Sequence, residues 1–173
     1  MQPIIMLLFL IGGDQSWSAN MLAANNHLRV DVLHSAPQSL SDKLSKAAEN
    51  QAIYMAMTGD FEHYGSNGTP GTRAALYHYN GVVKENLAKG FRNIADVFEG
   101  WRNSPTHWKA IQADYDEVGF GRAEAADGTI YWVALYGKSN EDEKQQKAKQ
   151  DEDKTNLEFM LISVVWSNYN CGA

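Results

Sequence analysis

The sequence predicts an α+β fold, and three observations carry that prediction. Apolar residues recur at helical spacing between residues 20 and 58 and again between 94 and 111; after Asp114 the pattern changes to a strand of alternating character, Val118-Gly119-Phe120-Gly121; and a second strand, Ile130 to Tyr136, follows the Asp127-Gly128 turn. Helices ahead of a small antiparallel hairpin place the chain in the α+β class.

Met21, Leu22, Leu28, Val32 and Leu33 predict a first helix over 20–33, with Asn20 as its cap and Ala36-Pro37 as its end. Ser39 or Ser41 can cap a second helix running to about Thr58, where Leu40, Leu44, Ala47, Ala48, Gln51, Ala52, Met55 and Ala56 form a stripe. Its alanines imply close packing against another element. Gly59 breaks this helix and 65–71 is dense in turn formers, so His63 falls on a connection. Arg73 to Tyr79 can make a short helix closed by Asn80-Gly81. Ile94, Val97, Phe98 and Trp101 give a further helix to Arg102, and Ser104-Pro105 starts another that carries His107 and Ile111. Glycines on the first hairpin strand permit close backbone approach.

At 173 residues, with 44% hydrophobic content, the chain suits one domain with a sizeable core, placed over 20–138. A net charge of −6 without a Lys/Arg stripe argues against a nucleic-acid partner. The single cysteine, Cys171, allows no intramolecular disulfide. The apolar run Ile4 to Ile11 is too short to span a bilayer and suits the apolar region of a signal peptide covering 1–19, with small residues before cleavage at Ser18 or Ala19. Its leading residues carry no Lys or Arg. Export would place the protein outside the cell or in the periplasm or envelope, without a transmembrane segment in the mature chain. Residues 139–156 read as a charged linker or exposed helix, and 157–173 as an apolar segment that adds a strand or docks on the core.

Chemistry-bearing residues sit in separate polar motifs. His63 lies in FEHYGSNGTPGTR, Glu85 in KENLAKG, and His107 in WRNSPTHWKAI, followed by YDEVGFG and TIYWVALYG. Two imidazoles and a carboxylate from distant segments suit a borderline cation such as zinc with one position left for water or substrate. Glu85 could instead orient an imidazole or fix a loop. His27, His34 and His78 have no such context and read as surface or hydrogen-bonded residues.

In their order and flanking words these motifs resemble the bacterial branch of the CAP superfamily, the SCP-like or pathogenesis-related-1 domain, over residues 22 to 137. The resemblance rests on Phe61, His63, Gly65, Pro70, Gly71 and Arg73; on Glu85 to Ala88; on Trp101, Ser104, Pro105, His107 and Ile111; and on Glu117 to Gly121 with Tyr131 to Val133. It implies an α-β-α sandwich and an exported protein. It also implies a cleft built on His63, Glu85 and His107, with Ser104 and Glu117 as neighbours. Animal and plant members carry a second glutamate shortly after the helix tryptophan, and Ser104 stands at that position here. The expected occupant is a divalent cation, zinc first and calcium or magnesium as alternatives, together with a small molecule, lipid or protein partner. The alternative is a metal-dependent hydrolase, peptidase or esterase, with Glu85 or Glu117 as general base.

Overall fold

The computed structural model describes residues 17–170, so the apolar run Ile4 to Ile11 and Cys171 lie outside the described residues. The chain divides after Lys138 into two units. The first contains an α-β-α sandwich. Helix α1 covers 17–27 and continues into a single π-helical turn, Leu28–Val32. Strand β1 (Ser39–Leu40), helix α2 (Asp42–Thr58), helix α3 (Pro70–Leu76), strand β2 (Gly81–Lys89), helices α4 (Ile94–Asn103) and α5 (Pro105–Gln112), and strands β3 (Glu117–Glu124) and β4 (Ile130–Ser139) follow in order.

The four strands form one sheet in the order β1-β3-β4-β2. The hairpin expected from Asp127-Gly128 is present, with β3 and β4 antiparallel from Glu117 opposite Gly137 to Glu124 opposite Ile130. Gly128 has φ 81°, the left-handed conformation that this tight turn demands. Two strands have no counterpart in the sequence pattern. β1 pairs in parallel with β3 through Ser39 and Leu40, making the sheet mixed. β2 occupies the other edge, where the Gly90 N–H donates to the Ile130 carbonyl at 2.8 Å. Its centre reads Lys84-Glu85-Asn86, which breaks the apolar alternation by which a strand is recognised.

Strand alternation distributes the core between two layers. Ile130, Trp132, Ala134 and Tyr136 of β4, with Val118 and Phe120 of β3, pack against Met21, Leu28, Val97, Phe98, Trp101, Ala110 and Ile111. On the opposite face Tyr131, Val133 and Leu135 meet Leu44, Ala47, Ala48, Ala52 and Met55 of α2 and Ala74 of α3. On that face β3 presents Gly119 and Gly121. A Cβ at either would lie 2.2 Å from the backbone of α2, at Leu44 and Ala48 respectively. The close approach implied by the alanines and the strand glycines is therefore made by one helix against one strand.

The helix boundaries show where local chemistry prevailed. α1 begins before Asn20, which lies inside it and does not cap it; Trp17 packs edge-on against Trp132, with ring centroids 6.2 Å apart. α2 starts after Ser41 and ends at Gly59, φ 80°. α3 starts at Pro70 rather than Arg73, because Thr69 and Thr72 form a reciprocal capping box with proline at the first helical position.

The second unit contains helix α6, Glu141–Asn170. The charged stretch adopts the exposed-helix alternative, while the strand expected over 157–166 is a correction: these residues continue the same helix. A Glu-, Lys- and Gln-rich run has strong helical preference, and once nucleated a helix propagates residue by residue through β-branched sequence. Among the described residues no helix is long and apolar enough to cross a membrane.

Candidate functional site

The site is built around β2, because a strand sends neighbouring side chains to opposite faces. Glu85 has the parity of Leu87, which packs on the α2–α3 side; Asn86 has that of Ala88, which packs beneath α4 and α5. Glu85 and Asn86 are both buried and therefore reach into different layers. The helix pair on Asn86's side is anchored to β2 by the Trp101 indole, which donates to the Leu87 carbonyl at 3.0 Å.

On the α3 side, His63 Nδ1 lies 2.9 Å from Glu85 Oε1, and Arg73 donates to Glu85 Oε2 at 2.6 Å. The side chains of Arg73 and Glu85 are each only 1% exposed, while that of His63 is 39% exposed. Arg73 also donates to the carbonyls of Gly68, at 2.9 Å, and His63, at 3.4 Å. Buried Gln51 on α2 donates to the Glu62 carbonyl at 2.9 Å and accepts from Asn67 at the same distance. The loop carrying His63 is thus held from beneath by an amide and from within by a guanidinium. The carbonyls of Glu62, His63 and Gly68 are paired in this way.

On the other side, Asn86 donates to the His107 carbonyl at 3.0 Å. Buried Arg29 donates to the carbonyls of Ile111, at 2.5 Å, and Ala113, at 2.9 Å, closing the end of α5. Desolvation by burial, and secondarily the charge of nearby His63, lower the His107 pKa below the ordinary imidazole value of 6.5. β2 thus engages the His63 ring through Glu85 and the His107 backbone through Asn86.

The sequence-predicted residues divide accordingly. His63 and Glu85 are in direct contact, and the charge of His63 acts on His107. Ser104 is the junction between α4 and α5 and occupies the N-cap position of α5, as its Ser-Pro context implies. Glu117 begins β3, with β4 lying between that strand and β2, so the sheet does not bring it to Glu85. The sequence marks Arg73 only as part of a motif; its burial and both its roles come from the tertiary structure. Among the described residues no three His, Cys, Asp or Glu groups converge as a metal cage. The donor set still suits a cation in one respect: a carboxylate on Nδ1 fixes an imidazole so that Nε2 is the nitrogen left to coordinate.

No curated protein matches the chain by sequence. An outer surface protein from Borrelia burgdorferi superposes with a TM-score of 0.65 at 28% identity, over 70% of this chain and 92% of that one. An extracellular SCP-domain protein from Bacillus anthracis gives 0.63 at 18% identity, and a cysteine-rich secretory protein from Staphylococcus aureus gives 0.54 at 19%. Each is matched over 70% of this chain but only 40% of its own, and at that identity the likeness is one of fold. The family model of the cysteine-rich secretory proteins, CAP, matches residues 22–136, a stretch that here contains no cysteine. That span covers well over half of the chain and includes all the motifs around His63, Glu85 and His107, and on this ground the chain belongs to the CAP family.

Proposed function

We propose that this is an exported CAP domain, secreted or held in the periplasm or envelope, whose cleft binds a divalent cation through His63 and His107 and presents it to a small ligand or partner. Zinc is the first candidate because two imidazoles are borderline donors; calcium and magnesium prefer oxygen. The observation that carries the reading is the contact of His63 Nδ1 with Glu85, which leaves Nε2 for a ligand on a half-exposed ring. The downward shift of the His107 pKa supports it, since burial favours the neutral imidazole, which is the form that coordinates a cation. A bound cation would supply Lewis acidity and a charged anchor.

Binding is favoured over hydrolysis by the same contacts. Glu85 has one oxygen on Arg73 and the other on His63, a poor arrangement for accepting a proton from water, and Glu117 stands beyond β4. Zinc titration of the metal-free protein should give one isotherm that His63→Ala and His107→Ala each abolish. Unchanged binding in either variant removes the proposal. Peptide or ester hydrolysis that is lost with chelator and restored by added zinc would establish the hydrolase alternative instead.

A further inference from the structure

We propose that Arg73 is the positioning residue of this cleft: by neutralising Glu85 it reserves that carboxylate for His63, fixes the Nδ1–H tautomer, and keeps Glu85 out of the coordination shell. The inference deepens the cation-binding reading and rests on it only for the metal, not for the tautomer.

Donors and acceptors decide where the proton sits. A guanidinium only donates, so Glu85 Oε2, 2.6 Å from Arg73, is an acceptor. An ionised carboxylate has no proton to give through its other oxygen. The 2.9 Å contact between Oε1 and His63 Nδ1 therefore needs the proton on the imidazole, and the neutral ring then has its lone pair at Nε2. Without Arg73 the carboxylate would be a buried charge with no guanidinium opposite it, free to turn toward a metal. Arg73 also governs the ring's place, because the same side chain holds the backbone carbonyls of His63 and Gly68. One residue thus sets the tautomer and the position of the ring.

This arrangement determines the charge of the site. With the Glu85 charge matched by Arg73, two neutral imidazoles would leave a divalent cation its full charge. Its remaining positions then suit oxygen donors, from water or from an anionic ligand bearing a carboxylate or phosphate.

Nitrogen-15 spectra of the histidine rings in metal-free protein, at a pH above imidazole titration, test the proposal. His63 should show Nδ1–H, and an Nε2–H ring overturns the proposal whether or not any variant folds. In Arg73→Met the two tautomers should mix and the zinc Kd should rise about 10- to 100-fold, the usual effect of losing an orienting partner. Arg73→Lys, which restores a cation beside Glu85, should recover the Nδ1–H form. A folded Arg73→Met protein whose His63 tautomer is unchanged would show that Arg73 only holds the loop. Wild-type protein that has the Nδ1–H ring but binds no zinc would remove the cation reading and leave the role of Arg73 standing.

Discussion

Gly121 lies directly under Ala48: a Cβ added to the strand residue would stand 2.2 Å from the carbonyl carbon and oxygen of the helix residue. Neither atom can swing aside, since both belong to the backbone of α2, so β3 and α2 must separate to admit a methyl group. Gly121→Ala should therefore destabilise the domain by about 1–3 kcal/mol, the usual cost of overpacking a core. Thermal unfolding of the variant beside wild type measures this, and equal midpoints would mean that the helix and strand are not so tightly apposed.

Trp101 and Leu87 join two layers through the 3.0 Å indole-to-carbonyl bond. Trp101→Phe keeps an aromatic ring but leaves the buried carbonyl without its donor, an expected loss of about 1–3 kcal/mol in urea unfolding. The same variant should loosen α4 against β2. Faster amide hydrogen exchange at Leu87 and Ala88 would register that change, and exchange at wild-type rates would count against it.

Replacing Glu85 by Gln leaves the Arg73 guanidinium buried without a counter-charge. Breaking a buried pair by removing one partner costs about 3–5 kcal/mol, so this conservative change should be among the most damaging in the domain. A denaturation midpoint close to that of wild type would show that the pair is better hydrated than its burial implies.

Acid should weaken the fold through His107. Its folded pKa lies below the ordinary value of 6.5, so between the two values the unfolded chain binds more protons than the folded one. Stability is accordingly retained above the ordinary value and declines as pH falls through it toward the folded value. Melting temperatures at about pH 7.5 and 5.5 should differ more for wild type than for His107→Gln, whose side chain does not titrate in that range. An identical pH dependence in both proteins would assign the acid sensitivity to other groups.

Much of the helical framework was legible because its signals are local. The α2 stripe, the Gly59 stop, the Ser104-Pro105 start and the Asp127-Gly128 turn each rest on residues a few positions apart and lie where the spacing placed them, except Leu40, which the stripe included and which pairs in β1 instead. β2 was not legible, since its polar centre serves long-range partners: Arg73 twelve residues before Glu85, and the His107 carbonyl 21 residues after Asn86. The apolar end of α6 misled for a related reason. β-branched composition favours a strand only where a neighbouring strand supplies the ladder, and in α6 the preceding charged run continues as helix instead.

By itself, then, the sequence determined the α+β class, a small-residue helix face and a glycine-bearing strand each suited to close packing, the CAP motifs and the residue types of the cleft, all properties carried by short-range spacing or by ordered words. Tertiary structure alone decided which of those residues meet. The alternation of β2 sends Glu85 and Asn86 to opposite faces, so one meets the His63 ring and the other the His107 backbone carbonyl. Burial places Glu85 between Arg73 and His63, one carboxylate oxygen on each, because the neighbours of a buried carboxylate are set by the fold.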